Sequence, residues 1–316
     1  MGEGLVVCCL FCVETLIGNE SFVVISVTGL EGEFESLVAD SLSTKSAAIY
    51  EKCFDDYSTF WEEMSLPISG GQSKVSVELW VAQLVKKGLG YGTVQSHLSA
   101  LRHMFKRKGI EIAWESEKLG IALKGLKKRR QQTLRKHPVS LSQIKSLYRG
   151  AEVTLPVYSC QMFKVMVSLA FFGFLRPSEF CVSSEDHYLR CNDVKISKSR
   201  KALFLRLRSF KHSEKPAIIT ISDSWSKSIG VVELFKGYLE KQDCRLEDEP
   251  LFNITVASFR SMLQKVCCAA GMKVKITPHC FRHGGATWAS KRGWSVARIK
   301  AHGRWKSQAY NTYISA

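Results

Sequence analysis

The stretch Met162–Leu175 constrains this 316-residue chain more than any other. It is apolar almost all the way round a helical wheel, so other elements must cover it on every side. That makes it the central buried helix of a globular unit. It falls short of the roughly 18 apolar residues in a row that a membrane helix needs. The helix runs out in Phe172-Gly173-Phe174-Leu175-Arg176-Pro177-Ser178-Glu179. An arginine at the edge of so apolar a segment is costly unless it meets an anion, with Glu179 three residues on to orient it, or satisfies the helix's last carbonyls.

The elements around this helix follow from periodicity. Leu203-Phe204-Leu205-Arg206-Leu207-Arg208 alternates as a strand with its leucines on one face. Ala217–Ile221 forms a second strand, and Phe210–Pro216 between them is a hairpin loop carrying Lys211 and Lys215. Val231–Glu240, Val256–Ala270, His279–Lys291 and Ser295–Ala301 read as helices, with Gly271, Gly293 and Gly303 as stop signals. Nearer the N-terminus the pattern becomes helical from about Ser41. Ser43 or Thr44 caps a helix running to Trp61, and Val77, Trp80, Val81, Leu84 and Val85 repeat at helical spacing up to Gly88. Thr93 caps a third helix, with Val94, Leu98, Leu101, Met104 and Phe105 on one face. The rest of its surface offers His97, Arg102 and Lys106, which suits a DNA groove and suits an ordinary solvated face equally. Residues 1–36, apolar and acidic with a β-branched cluster at Phe22-Val23-Val24-Ile25, are assigned no role.

Charge divides the chain unevenly. Residues 1–70 hold two basic and twelve acidic residues, whereas the remainder holds 43 basic and 17 acidic, a net of +26. A body that basic attracts polyanions, of which nucleic acid is the commonest. Between residues 123 and 138 stand seven basic residues and no acidic one, including Lys127, Lys128, Arg129 and Arg130. Such a run repels itself, stays extended and seeks phosphates, so it reads as a linker closed by Pro138. The eleven cysteines show no regular framework, and Cys160, Cys181, Cys267 and Cys268 sit in apolar runs, as free thiols do in a reducing compartment. Cys9-x-x-Cys12 lacks the second pair a zinc site needs. The apolar stretch Leu5–Val13 follows Glu3 and no cation, unlike a signal peptide. The expectation is an intracellular protein with no membrane partner.

Common enzyme motifs are missing. Gly88-Leu89-Gly90-Tyr91-Gly92 has neither dinucleotide nor P-loop spacing, and Gly-x-Ser-x-Gly, His-Glu-x-x-His and clustered carboxylates are absent. What remains is a cationic and polar set. His279 and Arg282, three apart in Pro278-His279-Cys280-Phe281-Arg282-His283-Gly284-Gly285, share one helical face. Gly284 and Gly285 allow close approach of another backbone or of DNA. His302-Gly303-Arg304-Trp305-Lys306-Ser307 then precedes a short segment ending in Tyr310-Asn311-Thr312-Tyr313.

Arg-x-x-Glu after a buried helix, a hairpin Lys, His-x-x-Arg, Gly-Arg-Trp and a Tyr ten residues beyond that Gly together resemble the tyrosine recombinase (phage-integrase-type) family. The likeness covers roughly residues 40–316. Leu-Arg-Pro-Ser-Glu, Phe-Arg-His-Gly-Gly-Ala-Thr and Gly-Arg-Trp-Lys-Ser look most like recombinases of eukaryotic mobile elements, which implies a nuclear protein. The resemblance implies a mainly α chain with the DNA breaking-rejoining fold. Its parts are an unassigned segment 1–36, a helical core-binding (SAM-like) domain over 37–125, a basic linker over 126–138, and an α+β catalytic domain with a small antiparallel sheet over 139–316.

By the same resemblance Arg176 and Arg282 grip the nonbridging oxygens of a DNA phosphate, where guanidinium forks suit better than ammonium groups. Tyr313 attacks phosphorus to give a 3′-phosphotyrosyl link, needing cations and a base to ionise its phenol. Lys211 protonates the departing 5′ oxygen, His279 is the helper acid/base, and Glu179 orients the group. Trp305 donates its indole N–H to the phosphate and packs under the site. Tyr310 and Lys215 are the rivals of Tyr313 and Lys211. No metal, cofactor or ATP enters. The implied partners are double-stranded DNA and further copies of the chain, as a tetramer on paired sites. The alternative function is a domesticated DNA-binding protein that keeps this fold without catalysis; a type IB topoisomerase shares the chemistry.

Overall fold

The computed structural model describes residues 27–64, 74–110, 117–129, 137–183, 186–210, 213, 215–225, 228–241 and 248–314. The chain divides into two compact units, Met1–Thr133 and Leu134–Ala316. Among the described residues, no helix is long and apolar enough to cross a membrane.

The first unit is helical: α1 (Val27–Asp40), α2 (Thr44–Glu63), α3 (Lys74–Lys86), α4 (Tyr91–Arg107) and α5 (Glu117–Arg129). Ser43 caps α2, its hydroxyl accepting from the Ser46 N–H. Gly88, with φ 84°, follows the end of α3. The expected apolar face of α4 is buried, and with Tyr57, Phe60, Trp80 and Leu84 it makes the core. Gly90 rather than Thr93 starts α4: its extended backbone begins the helix early and leaves Thr93 inside the first turn. The helical pattern also begins sooner than Ser41, at Val27, and the Phe22–Ile25 cluster and Cys9-x-x-Cys12 lie outside the described residues.

The basic run needs a larger correction. Lys127, Lys128 and Arg129 form the last turn of α5 rather than an extended linker. Two forces outweigh their repulsion. Leu119, Leu123 and Leu126 anchor one face of the helix in the core, and cations at a helix C-terminus interact favourably with its unpaired carbonyls. Arg130 lies outside the described residues.

The second unit runs α6 (Leu141–Thr154), α7 (Val157–Phe172), α8 (Pro177–Phe180), β1 (Val194–Ile196), β2 (Ala202–Leu207), β3 (Ala217–Ser222), α9 (Val231–Leu239), α10 (Val256–Ala269), α11 (Pro278–Lys291) and α12 (Val296–Gly303). A 3₁₀ segment, Gln308–Tyr313, follows. As its composition requires, α7 is central, packed by α6, α9 and α11. The antiparallel sheet has the order β1-β2-β3, pairing Leu203 with Ile221 and Leu205 with Ile219. Leu203, Leu205 and Leu207 all face the core. At three residues, β1 is too short to show as an alternation.

Gly284 and Gly285 set how closely α11 lies on its neighbours. A Cβ at Gly284 would run into the Val139 backbone, and one at Gly285 into the Phe171 carbonyl. The close approach these glycines permit is therefore to protein backbone. Cys160 and Cys181 are buried free thiols, while Cys268 is exposed.

Candidate active site

The site forms where the C-terminal ends of α7 and α12 meet the first turns of α8 and α11. Past Gly173, Phe174 takes the left-handed conformation, φ 48°. That costs a non-glycine residue on the order of 1 kcal/mol. Packing offsets it: the Phe174 ring is fully buried, 4.6 Å from the His302 ring and 6.1 Å from Trp305. The turn presents the Phe174 carbonyl to Arg282 and Arg304, which both donate to it. Arg176 precedes Pro177, so its backbone is held extended as the N-cap of α8.

The end of α12 is built in a complementary way. Gly303, expected as a stop, is the last helical residue, and Arg304 takes the left-handed position with φ 56°. Glycine is required at 303 because the Trp305 ring folds back over its Cα, where any Cβ would overlap it. The Trp305 backbone N–H closes this turn by donating to the Lys300 carbonyl at 2.9 Å.

Carbonyls left open at both helix ends are thus taken by three basic side chains. Arg282 is 0% exposed and donates to Phe174 O and, at 2.5 Å, to Gly303 O. Arg304 donates to His302 O at 3.0 Å and Phe174 O at 3.2 Å. His302 Nε2 donates to Phe172 O at 2.7 Å, which fixes its proton on that nitrogen.

At the centre lies Glu179, 1% exposed. It accepts from the Arg176 N–H at 2.7 Å, Arg176 Nη1 at 2.8 Å and Arg304 Nη2 at 2.6 Å. Burial alone would push its carboxyl up, but Arg304, Arg282 and Arg176 together hold it below its ordinary value. Burial lowers the proton affinity of Arg282, as do Arg304 and Arg176, against the pull of Glu179. Three guanidiniums around one carboxylate leave a cationic site suited to an anion.

Above Arg282 sit two rings. Its Cζ lies 4.4 Å from the Trp305 ring centroid and 5.4 Å from that of Tyr313. Tyr313 is tilted against Trp305 at 5.0 Å, and its carbonyl accepts from Thr287 Oγ1 at 3.2 Å. Trp305 Nε1 is buried and, among the described residues, has no hydrogen-bond partner.

Arg176, Glu179, Arg282, Trp305 and Tyr313 are therefore gathered in one place, as the sequence predicts. His279 is exposed on the first turn of α11, and the imidazole stacked on Tyr313, at 4.3 Å, belongs to His283. Lys211 lies outside the described residues, and its rival Lys215 is exposed in the same hairpin. The other rival, Tyr310, has Lys300 Nζ 5.9 Å from its ring.

Sequence reasoning missed Arg304, His302 and His283. Arg304 stands in view inside Gly-Arg-Trp but receives no role from the sequence, because only its left-handed backbone turns it toward Glu179. On α4, Arg102 and Lys106 are exposed, as are Lys127, Lys128 and Arg129 on α5. His97 is not on the outer face: it is half-buried beside Trp80. Burial lowers its pKa against an opposing pull from Asp56.

His302 makes this region acid-sensitive. Burial, aided by Arg304, Arg298 and Arg282, brings its pKa from 6.5 down to about 4, against the pull of its bond to Phe172. The folded state then binds fewer protons than the unfolded one between those values. The stability concerned is fully present above the unfolded value and is lost as pH falls toward about 4, up to about 3 kcal/mol. Urea unfolding across that window should show the loss, and His302→Gln, which keeps a donor for Phe172, should flatten it.

No protein-family model matches the sequence, and no curated protein matches it. Solved structures share the fold. XerH site-specific recombinase bound to difH substrate in a pre-cleavage complex is 13% identical, with a TM-score of 0.61 over 85% of this chain and 76% of that one. The Tn1549 transposon integrase in complex with a circular intermediate DNA is 13% identical, with a TM-score of 0.58 over 89% and 94%. A lambda integrase dimer bound to a COC′ core site is 13% identical, with a TM-score of 0.56 over 92% and 77%. At these identities the likeness is one of fold: a mainly helical chain whose second unit has the tyrosine recombinase catalytic fold.

Proposed function

We propose that this protein is a site-specific DNA recombinase or integrase that cuts and rejoins strands through a transient 3′-phosphotyrosyl bond at Tyr313. The observation that carries the reading is the Tyr313 ring held against Trp305 and over Arg282, beside the Arg176–Glu179 pair. The Tyr313 oxygen attacks phosphorus, the bond to the 5′ oxygen breaks, and Lys211 supplies the proton that this oxygen takes up. Attack by a 5′ hydroxyl on the phosphotyrosyl link reverses the sequence, so the number of phosphodiesters is conserved and no ATP is needed.

Arg176 and Arg282 neutralise charge on the nonbridging oxygens as it builds in the transition state. The buried, unpartnered Trp305 Nε1 is a donor for one of those oxygens. Either His279 or His283 handles the phenol proton, and the stacking of His283 on Tyr313 favours the latter. Lambda integrase forms a dimer on its core site; for this chain we propose a tetramer on paired sites, in the nucleus if the host is eukaryotic. A nicked suicide duplex, from which the cleaved strand diffuses away, tests the reading by trapping the covalent adduct.

Duplex binding should depend steeply on salt, because each neutralised phosphate releases counterions. Affinity for random duplex is expected to fall about 10³-fold between ~50 and ~200 mM salt. Replacing Lys127, Lys128, Arg129 and Arg130 with Ala should weaken binding to every sequence alike and flatten that slope. A response flat in salt for the unaltered protein would remove DNA from the account.

A further inference from the structure

The sequence motif Gly-Arg-Trp has one residue that the proposed chemistry leaves unused. Arg304 is 4% exposed, yet it carries a full positive charge into the protein and points it at Glu179 Oε2, 2.6 Å away. Such a residue is expensive to bury and needs a reason.

Glu179 supplies one. Its Oε1 takes Arg176 Nη1, and its Oε2 takes the Arg176 N–H as well as Arg304 Nη2. Arg176 is the solvent-reachable partner, its side chain 17% exposed, whereas Arg304 is sealed in. If Arg176 were the sole close counter-charge, the buried carboxylate would claim it, and the pair would present no net charge to solvent. With Arg304 inside, Glu179 is neutralised from behind. Among the described residues, no further group takes a hydrogen bond from the Arg176 guanidinium, whose remaining N–H groups stay available.

Resting on the strand-cleavage reading, we propose that Arg304 is a positioning residue: it compensates Glu179 from the protein side, so that Arg176 keeps its charge and its free donors for a DNA phosphate. Its backbone serves the same end. The left-handed turn at Arg304 swings Trp305 back over Gly303 and under Tyr313, so one residue sets both the charge and the aromatic floor. Arg282 also acts on Glu179 through its charge, but both its terminal nitrogens donate to the carbonyls of Phe174 and Gly303 and, among the described residues, none of its hydrogen bonds reaches the carboxylate, as that of Arg304 does.

The test compares the full chain with Arg304→Gln, Arg304→Lys and the double variant Arg304→Gln/Glu179→Gln, in which both buried charges are gone. Adduct formation is followed in single turnover on a pool of nicked duplexes of randomised sequence. Arg304→Gln should be slower by roughly 100-fold at neutral pH. Its deficit should shrink as pH falls, because Glu179, then facing only Arg176 and Arg282 with His302 nearby, takes up a proton and releases Arg176. The double variant should recover most of the rate at neutral pH, and Arg304→Lys should keep the pH profile of the unaltered protein. Loss of packing alone gives neither the pH-dependent deficit nor the rescue. Wild-type rates in Arg304→Gln, or a deficit equal at every pH and not rescued, overturn the proposal.

If the unaltered protein forms no adduct on the pool, the strand-cleavage reading fails, and binding of inorganic phosphate decides the role of Arg304. Followed at the arginine Nε–H resonances, phosphate should bind at Arg176, more weakly in Arg304→Gln, and normally again in the double variant. Equal binding in wild type and Arg304→Gln counts against it.

Discussion

Tyr313→Phe is expected to abolish the covalent protein–DNA adduct, a loss of more than about 10⁴-fold, while folding and duplex binding survive. Among the described residues, the ring contacts and hydrogen bond that hold this residue belong to its ring and backbone. They are the stack on His283 at 4.3 Å, the Trp305 ring at 5.0 Å, Arg282 at 5.4 Å, and the carbonyl that accepts from Thr287. All of them remain in phenylalanine, so stability should change by less than about 1 kcal/mol. Only the attacking oxygen is gone. Tyr310→Phe serves as the control and should retain the adduct. If the pattern is inverted, Tyr310 is the nucleophile, and the cluster over Arg282 is an aromatic core.

Arg282→Ala should fail differently, losing stability together with cleavage. Removing this guanidinium strips the Gly303 carbonyl of its donor, leaves the Phe174 carbonyl with Arg304 alone, and takes one cation from Glu179. Breaking a buried charged network in this way costs about 3–5 kcal/mol. Loss of a cation next to the reacting phosphate adds roughly 10²-fold in rate. Arg176→Ala makes the informative contrast: its side chain is partly exposed, and Glu179 keeps Arg304, so cleavage should fall with a smaller loss of stability. Urea unfolding alongside adduct formation separates the two. An Arg282→Ala protein as stable as wild type would show that the guanidinium does not hold the two helix ends together.

Much of this arrangement is legible in the sequence, for reasons tied to particular residues. An apolar run such as Met162–Leu175 has one physical solution, and the structure adopts it with α7. The faces of α4 and β2 follow from periods of 3.6 and 2, and both are buried as expected. The gathering of Arg176, Glu179, Arg282, Trp305 and Tyr313 was legible from the order and spacing of motifs rather than from any single one.

What stayed hidden depends on backbone conformation or tertiary surroundings. Nothing local marks Phe174 or Arg304 as left-handed, since both pay for that conformation with contacts far away in the chain. Lys127, Lys128 and Arg129 read as extended because charge repulsion is visible in sequence, whereas the leucine face of α5 shows its worth only against the core. The half-buried position of His97 was likewise invisible, because Trp80 on another helix creates it.

A bond between Tyr313 and the 3′ end of a cleaved DNA strand can be sought directly. The most direct measurement incubates the unaltered protein with nicked duplexes of randomised sequence, isolates protein that stays attached to DNA after denaturation, and digests both components for mass spectrometry. The expected product is a peptide containing Tyr313 that carries a nucleotide through its 3′ phosphate, with no such modification in Tyr313→Phe. Tight duplex binding with no adduct anywhere in the pool, or a nucleotide attached to another residue, would contradict it.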